Sequence, residues 1–354
     1  MTSKRLFVFF ILLCIGFSGS AQNIDSTIAR YATEYGQERT YLQYDKSAYT
    51  PGETVWFKAY LMAGVAPADD SKTLYTDWTD DKGNILLHNV GPIVDATSNG
   101  QFDIPAGYAG QFIHVKAYTK WMLNFDSSFL YEKDIRIITK NTNAPATKIS
   151  IVPTLQFFPE GGDAIAGIAS KIAFKVTDQW GKPVKIKGVV QSSKGEKIDS
   201  LRIIHDGMGY FFLLPQPGET YTAKWSIRTP LEKDEKGVDY TTALPATKST
   251  GVSLQVTLSG NKRTFIITAE PGLAKSLGAL KILGTINQYQ AFKVTKDISS
   301  GSAKGVIPVG DLPSGILTIT VFDGQWKPLA ERITYINNDE YRDRKSSRLN
   351  SSHQ

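Results

Sequence analysis

The 354-residue chain has a single cysteine, Cys14, and only four histidines. Cys14 lies in an N-terminal segment expected to be removed on export. The mature chain then has no thiol. That excludes a disulfide, a cysteine nucleophile, a cysteine-ligated zinc site and an internal thioester. Exported β-domains of about a hundred residues can bury a sufficient core without disulfides, and an exported chain without cysteine pairs points to a bacterial source.

The chain also lacks a run of basic residues. Its formal net charge of +6 sits largely at the ends. Lys4 and Arg5 contribute +2, and residues 343–354 contribute another +2, which leaves +2 for the rest. A chain with scattered cations is not expected to bind nucleic acid. No apolar run reaches the ~20 residues of a membrane span. There is no G-x-S-x-G, no glycine-rich phosphate loop and no His-x-x-x-His. These absences argue against an enzyme and against a cofactor.

Hydrophobic residues make up 41% and charged residues 21%, which suits ordinary globular domains rather than disorder. Residues 1–21 read as a secretory signal peptide: Lys4 and Arg5, an apolar run from Leu6 to Phe17, then Gly19-Ser20-Ala21. The product is expected in the periplasm or at the outer membrane, with no transmembrane span after cleavage. Whether Cys14 is lipidated stays open, although Ile11-Leu12-Leu13 lacks the small residue usual before such a site. The polar segment 343–354 is expected to be an adapter-derived tail, with the natural chain continuing past Arg342.

Residues 22–40 read as a lead-in helix packed on the first domain, with Ile24, Ile28, Tyr31 and Tyr35 at helical spacing. From Thr40 onward the pattern is strands and turns. Thr50-Pro51-Gly52-Glu53 suits a type II turn, because Pro51 presets φ and Gly52 supplies φ > 0. After it Val55, Phe57, Ala59 and Leu61 alternate with Trp56, Lys58, Tyr60 and Met62, the period of a strand with one buried face.

A repeat organises the remainder. Glycines at 100, 209 and 305 each begin or lie in a strand followed by a second glycine, at 110, 218 and 315, and a second strand. A second register pairs residues 74–83 with 174–183. One module of about a hundred residues therefore occurs three times. A linker is expected at Lys140–Lys148, and the charged stretch Leu231–Asp239, which Pro245–Lys248 closes, reads as an exposed loop or a linker. The expected domains are 41–144, 145–247 and 248–342, each a β-sandwich.

The stretch 41–61 resembles the second macroglobulin domain of the alpha-2-macroglobulin and complement superfamily. Asp45, Lys46, Tyr49, Pro51, Gly52 and Val55 match its motif, Tyr44 replaces the usual Thr, and Lys58 stands near the usual Arg. The later modules, with Phe158–Gly162, Gly207–Gly209 and Leu329–Arg332, look like repeats of large exported Bacteroidetes proteins, where a region similar to a TonB-receptor plug often follows. The resemblance implies tandem immunoglobulin-like sandwiches, an all-β fold, and the broad label of endopeptidase inhibitor. Trapping in that family needs a bait segment, a thioester and a receptor domain, and this chain has no cysteine for the thioester.

Other candidates read as structure. Asp77, Asp80 and Asp81 near Gly83 lack the alternating ligands of a calcium loop. His205-Asp206 reads as a turn, His88 and His114 stand singly in strands, and Glu160-Gly161-Gly162 reads as a turn. Trp56, Tyr60 and Trp121 are candidate interface residues, and Trp180, Trp225 and Trp326 are also placed at strand ends or outward faces. Asp45, Lys46 and Tyr49 are expected to brace the turn. The expected function is a non-enzymatic scaffold or protein-binding module of the cell envelope, with other envelope proteins or peptides as partners. The alternatives are a macroglobulin-type endopeptidase inhibitor and a carbohydrate-binding module of an uptake system.

Overall fold

The computed structural model describes residues 24–64, 66–139, 151–179, 181–228 and 238–339. The signal-peptide segment, the 140–148 linker, Trp180, most of the 231–239 stretch and the 343–354 tail lie outside the described residues.

Helix α1 spans Ile24–Glu34. It is shorter than the expected 22–40, since Gly36 follows its end and strand β1 (Glu38–Tyr44) begins two residues later. Eight further strands follow: β2 (Ala48–Tyr49), β3 (Thr54–Ala63), β4 (Ala66–Pro67), β5 (Thr73–Thr79), β6 (Ile85–Pro92), β7 (Thr97–Asp103), β8 (Phe112–Tyr118) and β9 (Tyr131–Ile137). β1, β3 and β7 pair side by side, with β4 appended, and face the sheet β2-β9-β8-β5-β6. Between the sheets lie Leu42, Val55, Phe57, Leu74, Trp78 and Ile113. β3 buries Val55, Phe57, Ala59 and Leu61 in alternation, as its period of two requires.

The same plan recurs twice. β10 (Thr154–Pro159), β11 (Ser170–Thr177), β12 (Ile186–Ser192), β13 (Lys197–Ser200), β14 (Ile203–His205), β15 (Met208–Leu213), β16 (Tyr221–Ile227) and β17 (Asp239–Ala243) form sheets β10-β11-β15-β14 and β13-β12-β16-β17. Phe174, Phe211, Val190 and Ala223 fill the space between them. β18 (Val252–Ser259), β19 (Lys262–Ala269), β20 (Ala279–Ile286), β21 (Tyr289–Asp297), β22 (Ser302–Pro308), β23 (Gly315–Phe322) and β24 (Pro328–Ile336) form sheets β18-β19-β22 and β21-β20-β23-β24 around Phe265, Ile267, Ile282 and Ile319. A second helix, α2 (Pro271–Leu277), was not expected. Glu270 caps it, accepting bonds from the Gly272 and Leu273 amides at 2.8 and 3.0 Å, and Pro271 opens its first turn.

The repeated glycines have one cause. Gly100, Gly209 and Gly305 lie on β7, β15 and β22, directly opposite Phe57, Phe174 and Phe265 on the neighbouring strand. A Cβ added at these glycines would stand 2.6, 2.5 and 2.3 Å from the phenyl Cζ. Each glycine makes room for a core ring lying across it. The following strand of each pair, β8, β16 or β23, lies in the opposite sheet. The second register does not hold. Residues 74–79 form β5 in the larger sheet of the first sandwich, whereas 174–177 belong to β11, whose counterpart there is β3. What the two stretches share is alternation ending in a glycine turn, chemistry that recurs at any hairpin.

Of the two readings of the 231–239 stretch, a loop within one sandwich and a linker, the pairing agrees with the loop. Asp239 already begins β17, which pairs with β16 from Ser226↔Asp239 to Thr222↔Ala243. The stretch therefore connects two strands of one sheet.

Candidate functional site

The turn after β2 is held by its own side chains. Glu53 N donates to Thr50 O at 3.1 Å, and Gly52 has φ 85°. Tyr49 is buried, and its hydroxyl donates to Asp45 Oδ1 at 2.6 Å. The same oxygen accepts the Trp56 amide at 3.0 Å. Lys46 N donates to the Tyr49 hydroxyl at 3.1 Å, and Lys46 Nζ pairs with Glu53 Oε1 at 3.0 Å. Glu53 Oε2 accepts the Thr50 amide at 2.8 Å. Desolvation opposes ionisation of Asp45, but the bonds from Tyr49 and Trp56 outweigh it and hold its carboxyl below the ordinary value. The Thr50 amide, then Lys46, likewise lowers Glu53. Burial, followed by the bond to Asp45, pushes the Tyr49 hydroxyl up. Val55 is fully buried. The motif residues are thus spent on one another.

The candidate interface residues do not converge. Trp56 is 54% exposed on the outer face of β3. Half-buried Tyr60 lies further along that face, with Lys58 Nζ 5.5 Å from its ring centroid. Trp121 opens the short helical turn Trp121–Asn124 that follows β8 in the other sheet. Its indole N–H donates to Gly36 O at 2.8 Å, and its ring stacks on Tyr35 at 6.5 Å. Trp225 is not on an outward face: it is 4% exposed, stacks on Tyr240 at 4.6 Å and donates to Thr242 Oγ1 at 2.9 Å. Gly188 opposite it leaves the room, since a Cβ there would stand 2.5 Å from the Trp225 Cβ. Trp326 is half-buried in a turn with φ 63°, under Lys281 Nζ at 4.3 Å.

The acidic and histidine candidates resolve into local pairs. Asp80 Oδ1 accepts the Lys82 and Asn84 amides at 2.9 and 2.8 Å in the β5–β6 turn, while Asp81 Oδ2 accepts the Gln111 amide at 3.1 Å. His88 Nδ1 meets Asp77 Oδ1 at 2.5 Å, and His114 pairs with Asp134. Neither histidine stands alone; both partners lie across a strand pair, where sequence proximity gives no sign of them. His205 and Asp206 are 3.5 Å apart and exposed, and Asp206-Gly207 forms a turn with φ 46° and 73°. Among the described residues no group of three or more His, Cys, Asp or Glu is arranged to hold a metal ion. Among the same residues no helix is long and apolar enough to cross a membrane.

What the sequence did not show is a pair of seams. Glu160 follows β10, and its largely buried carboxylate accepts Val256 N and Arg332 Nε, both at 3.2 Å. The two stretches 158–162 and 329–332 therefore meet across the second and third sandwiches. Gly161, φ 87°, lies against β18, and a Cβ there would stand 2.7 Å from Leu254 O. Lys248 adds a bridge to Ile165, and its Nζ pairs with Asp163 Oδ2 at 2.6 Å. The second seam joins the first sandwich to the third. Helix α1 does not pack on the first sandwich alone. Asp25 pairs with Lys293 Nζ of β21 at 2.5 Å, and Gln288 in the β20–β21 turn bonds the Gln37 amide at 3.0 Å and Tyr35 O at 3.1 Å. An eleven-residue helix with only Ala32 buried cannot stand on its own core, so it is held from both sides.

Pairs of sheets of three to five strands, three times over, define an all-β protein of tandem immunoglobulin-like sandwiches. No family model matches the chain, and no curated protein matches it. Among solved structures it is similar to Salmonella alpha-2-macroglobulin reacted with methylamine, at 11% identity and TM-score 0.26 over 86% of this chain and 23% of that one. Native Escherichia coli alpha-2-macroglobulin gives 12% and 0.26 over 87% and 23%. A tetra-tandem repeat from the extending region of a large adhesion protein gives 11% and 0.21 over 85% and 74%. The chain spans about a quarter of the macroglobulins' length. Likeness at this level carries no activity to this chain.

Proposed function

We propose that the chain is a non-enzymatic, exported scaffold or protein-binding module of the bacterial envelope, linked to a TonB-dependent outer-membrane system. The observation that carries the reading is the pair of seams. Glu160, Gly161 and Arg332 fit two sandwiches together through backbone and side chain, and α1 ties the first sandwich to the third. Tandem domains ordinarily move relative to one another unless their interface is large and hydrophobic, so on this reading these polar contacts limit that motion. Contacts of this kind suit a part whose work is to hold partners at a set spacing.

Small-angle scattering of the full chain tests the rigid arrangement. One compact profile, loosened by Glu160→Ala with Trp121→Ala, is expected; an extended, flexible profile for the unmutated chain refutes it. Incubation with an endopeptidase tests the non-inhibitory part. Scattered, slow cleavage is expected, and a single cut followed by compaction and retention of the protease would replace the scaffold with an inhibitor.

A further inference from the structure

We propose that the outer face of the sheet β13-β12-β16-β17 is a binding site for an acidic polysaccharide. An open groove of ≈ 980 Å³ lies on this sheet. Along β12 the core takes Ile186 and Val190, and Lys187 and Val189 point the other way. Along β16 the core takes Ala223 and Trp225, and Lys224 and Ser226 point out. Arg228 N donates to Lys185 O at 2.7 Å, which extends the β12–β16 ladder by one residue pair and puts Lys185 and Arg228 on the same outer side. Arg202 lines the groove beside them, and among the described residues Asp239 is its one acidic lining residue.

These five cations are exposed, and none is within ion-pair distance of a carboxylate among the described residues. Like charges crowded on one face repel one another, and a bound anion relieves that cost.

The shape of the array selects the ligand. Lys224 and Arg228 are four residues apart on one strand, about 13 Å, which exceeds the Debye length of ~8 Å at physiological ionic strength. One small anion cannot neutralise both ends, whereas a polymer with repeating anionic groups can. β12 and β16 are interior strands with their ladders paired on both sides, so the face offers side chains and no free edge for a peptide strand. Nucleobases would need an exposed ring to stack on. Trp225 is buried, and Tyr240 stacks on it from the core side. Around the cations the face presents Ser200 and Thr241, hydroxyls suited to sugars. The proposal rests on this face alone and does not depend on the seams.

Calorimetric titration of the full chain at low salt tests it, using polygalacturonate, heparin, neutral dextran, poly-glutamate and an oligothymidylate. Polygalacturonate or heparin is expected to bind and dextran not to, and comparison of the two binders separates carboxylate from sulfate recognition. Lys187→Gln with Lys224→Gln should weaken binding at least ~10-fold, equivalent to about 1.4 kcal/mol, while Lys187→Arg with Lys224→Arg keeps it. If the double Gln variant does not fold, the single Lys187→Gln variant serves. Unchanged affinity in the Gln variant overturns the proposal. So does tighter binding of poly-glutamate or oligothymidylate than of either polysaccharide, and so does the absence of binding by any polyanion.

Discussion

Replacing Gly305 by Ala should destabilise the third sandwich, although alanine is ordinarily the better residue in a strand. Gly305 is not in a left-handed conformation, so its backbone does not require glycine. Removing glycine from a regular element would by itself stabilise by roughly 0.5–1 kcal/mol. The added methyl, however, would stand 2.3 Å from Phe265 Cζ and 2.5 Å from Cε1, where carbon contacts are ordinarily about 3.5–4.0 Å. The ring must retreat by more than about 1 Å. Phe265 is 2% exposed and belongs to the buried core with Ile267, Ile282 and Ile307. Overpacking of this kind costs about 1–3 kcal/mol, so the net expectation is a loss within about 0–2.5 kcal/mol, toward the upper end because the ring must move by more than about 1 Å. Phe265→Leu alone should also destabilise, by leaving a cavity. Together the two changes should cost less than their sum, by about 1 kcal/mol or more, because the smaller side chain vacates the space the methyl needs. Gly209 provides the control. A Cβ there would meet Arg202 O at 2.1 Å as well as the Phe174 ring, so Phe174→Leu cannot rescue Gly209→Ala. Unfolding of three sandwiches is not expected to be a single transition. Hydrogen exchange read on peptides covering β19 and β22 isolates the relevant unit. Neutral or additive effects at Gly305, or rescue at Gly209, would refute the space argument.

Three further outcomes can be checked. Glu160→Ala should leave the Arg332 guanidinium and the Val256 amide without their shared acceptor, at a cost of about 1–3 kcal/mol; faster exchange at Val256 and faster proteolysis between the second and third sandwiches are the readouts, and unchanged rates would count against a functional seam. The Asp45 carboxyl is held below its ordinary value in the fold, so its contribution is complete above the unfolded value of ~3.9 and is lost as pH falls through the lower folded value. Acid melting of the first sandwich should therefore flatten in Asp45→Asn, as measured by exchange on β3 peptides against pH. Trp121→Ala removes both the indole bond to Gly36 O and the stack on Tyr35; α1 should then be cleaved by trypsin at Arg30 sooner than in the unmutated chain, with the strands unaffected.

Period-two alternation and the Pro51-Gly52 turn make the strands legible from sequence, because a strand with one buried face writes its own pattern. The threefold glycine spacing identified the repeat, although its cause, a phenyl ring across each glycine, is visible only where Phe57, Phe174 and Phe265 stand opposite. The bracing of the turn by Asp45 and Tyr49 is also legible, since its partners lie within eleven residues. Everything that joins distant residues was not. Glu160 and Arg332 are 172 positions apart, Asp25 and Lys293 are 268 apart, and Lys187 reaches Lys224 only through the β12–β16 pairing. Scattered cations look harmless along the chain and become one charged face in the sheet. Local sequence encodes backbone preference and burial; which faces meet, and which charges come to lie side by side, depends on the register and docking of elements, and those are set by packing over the whole chain.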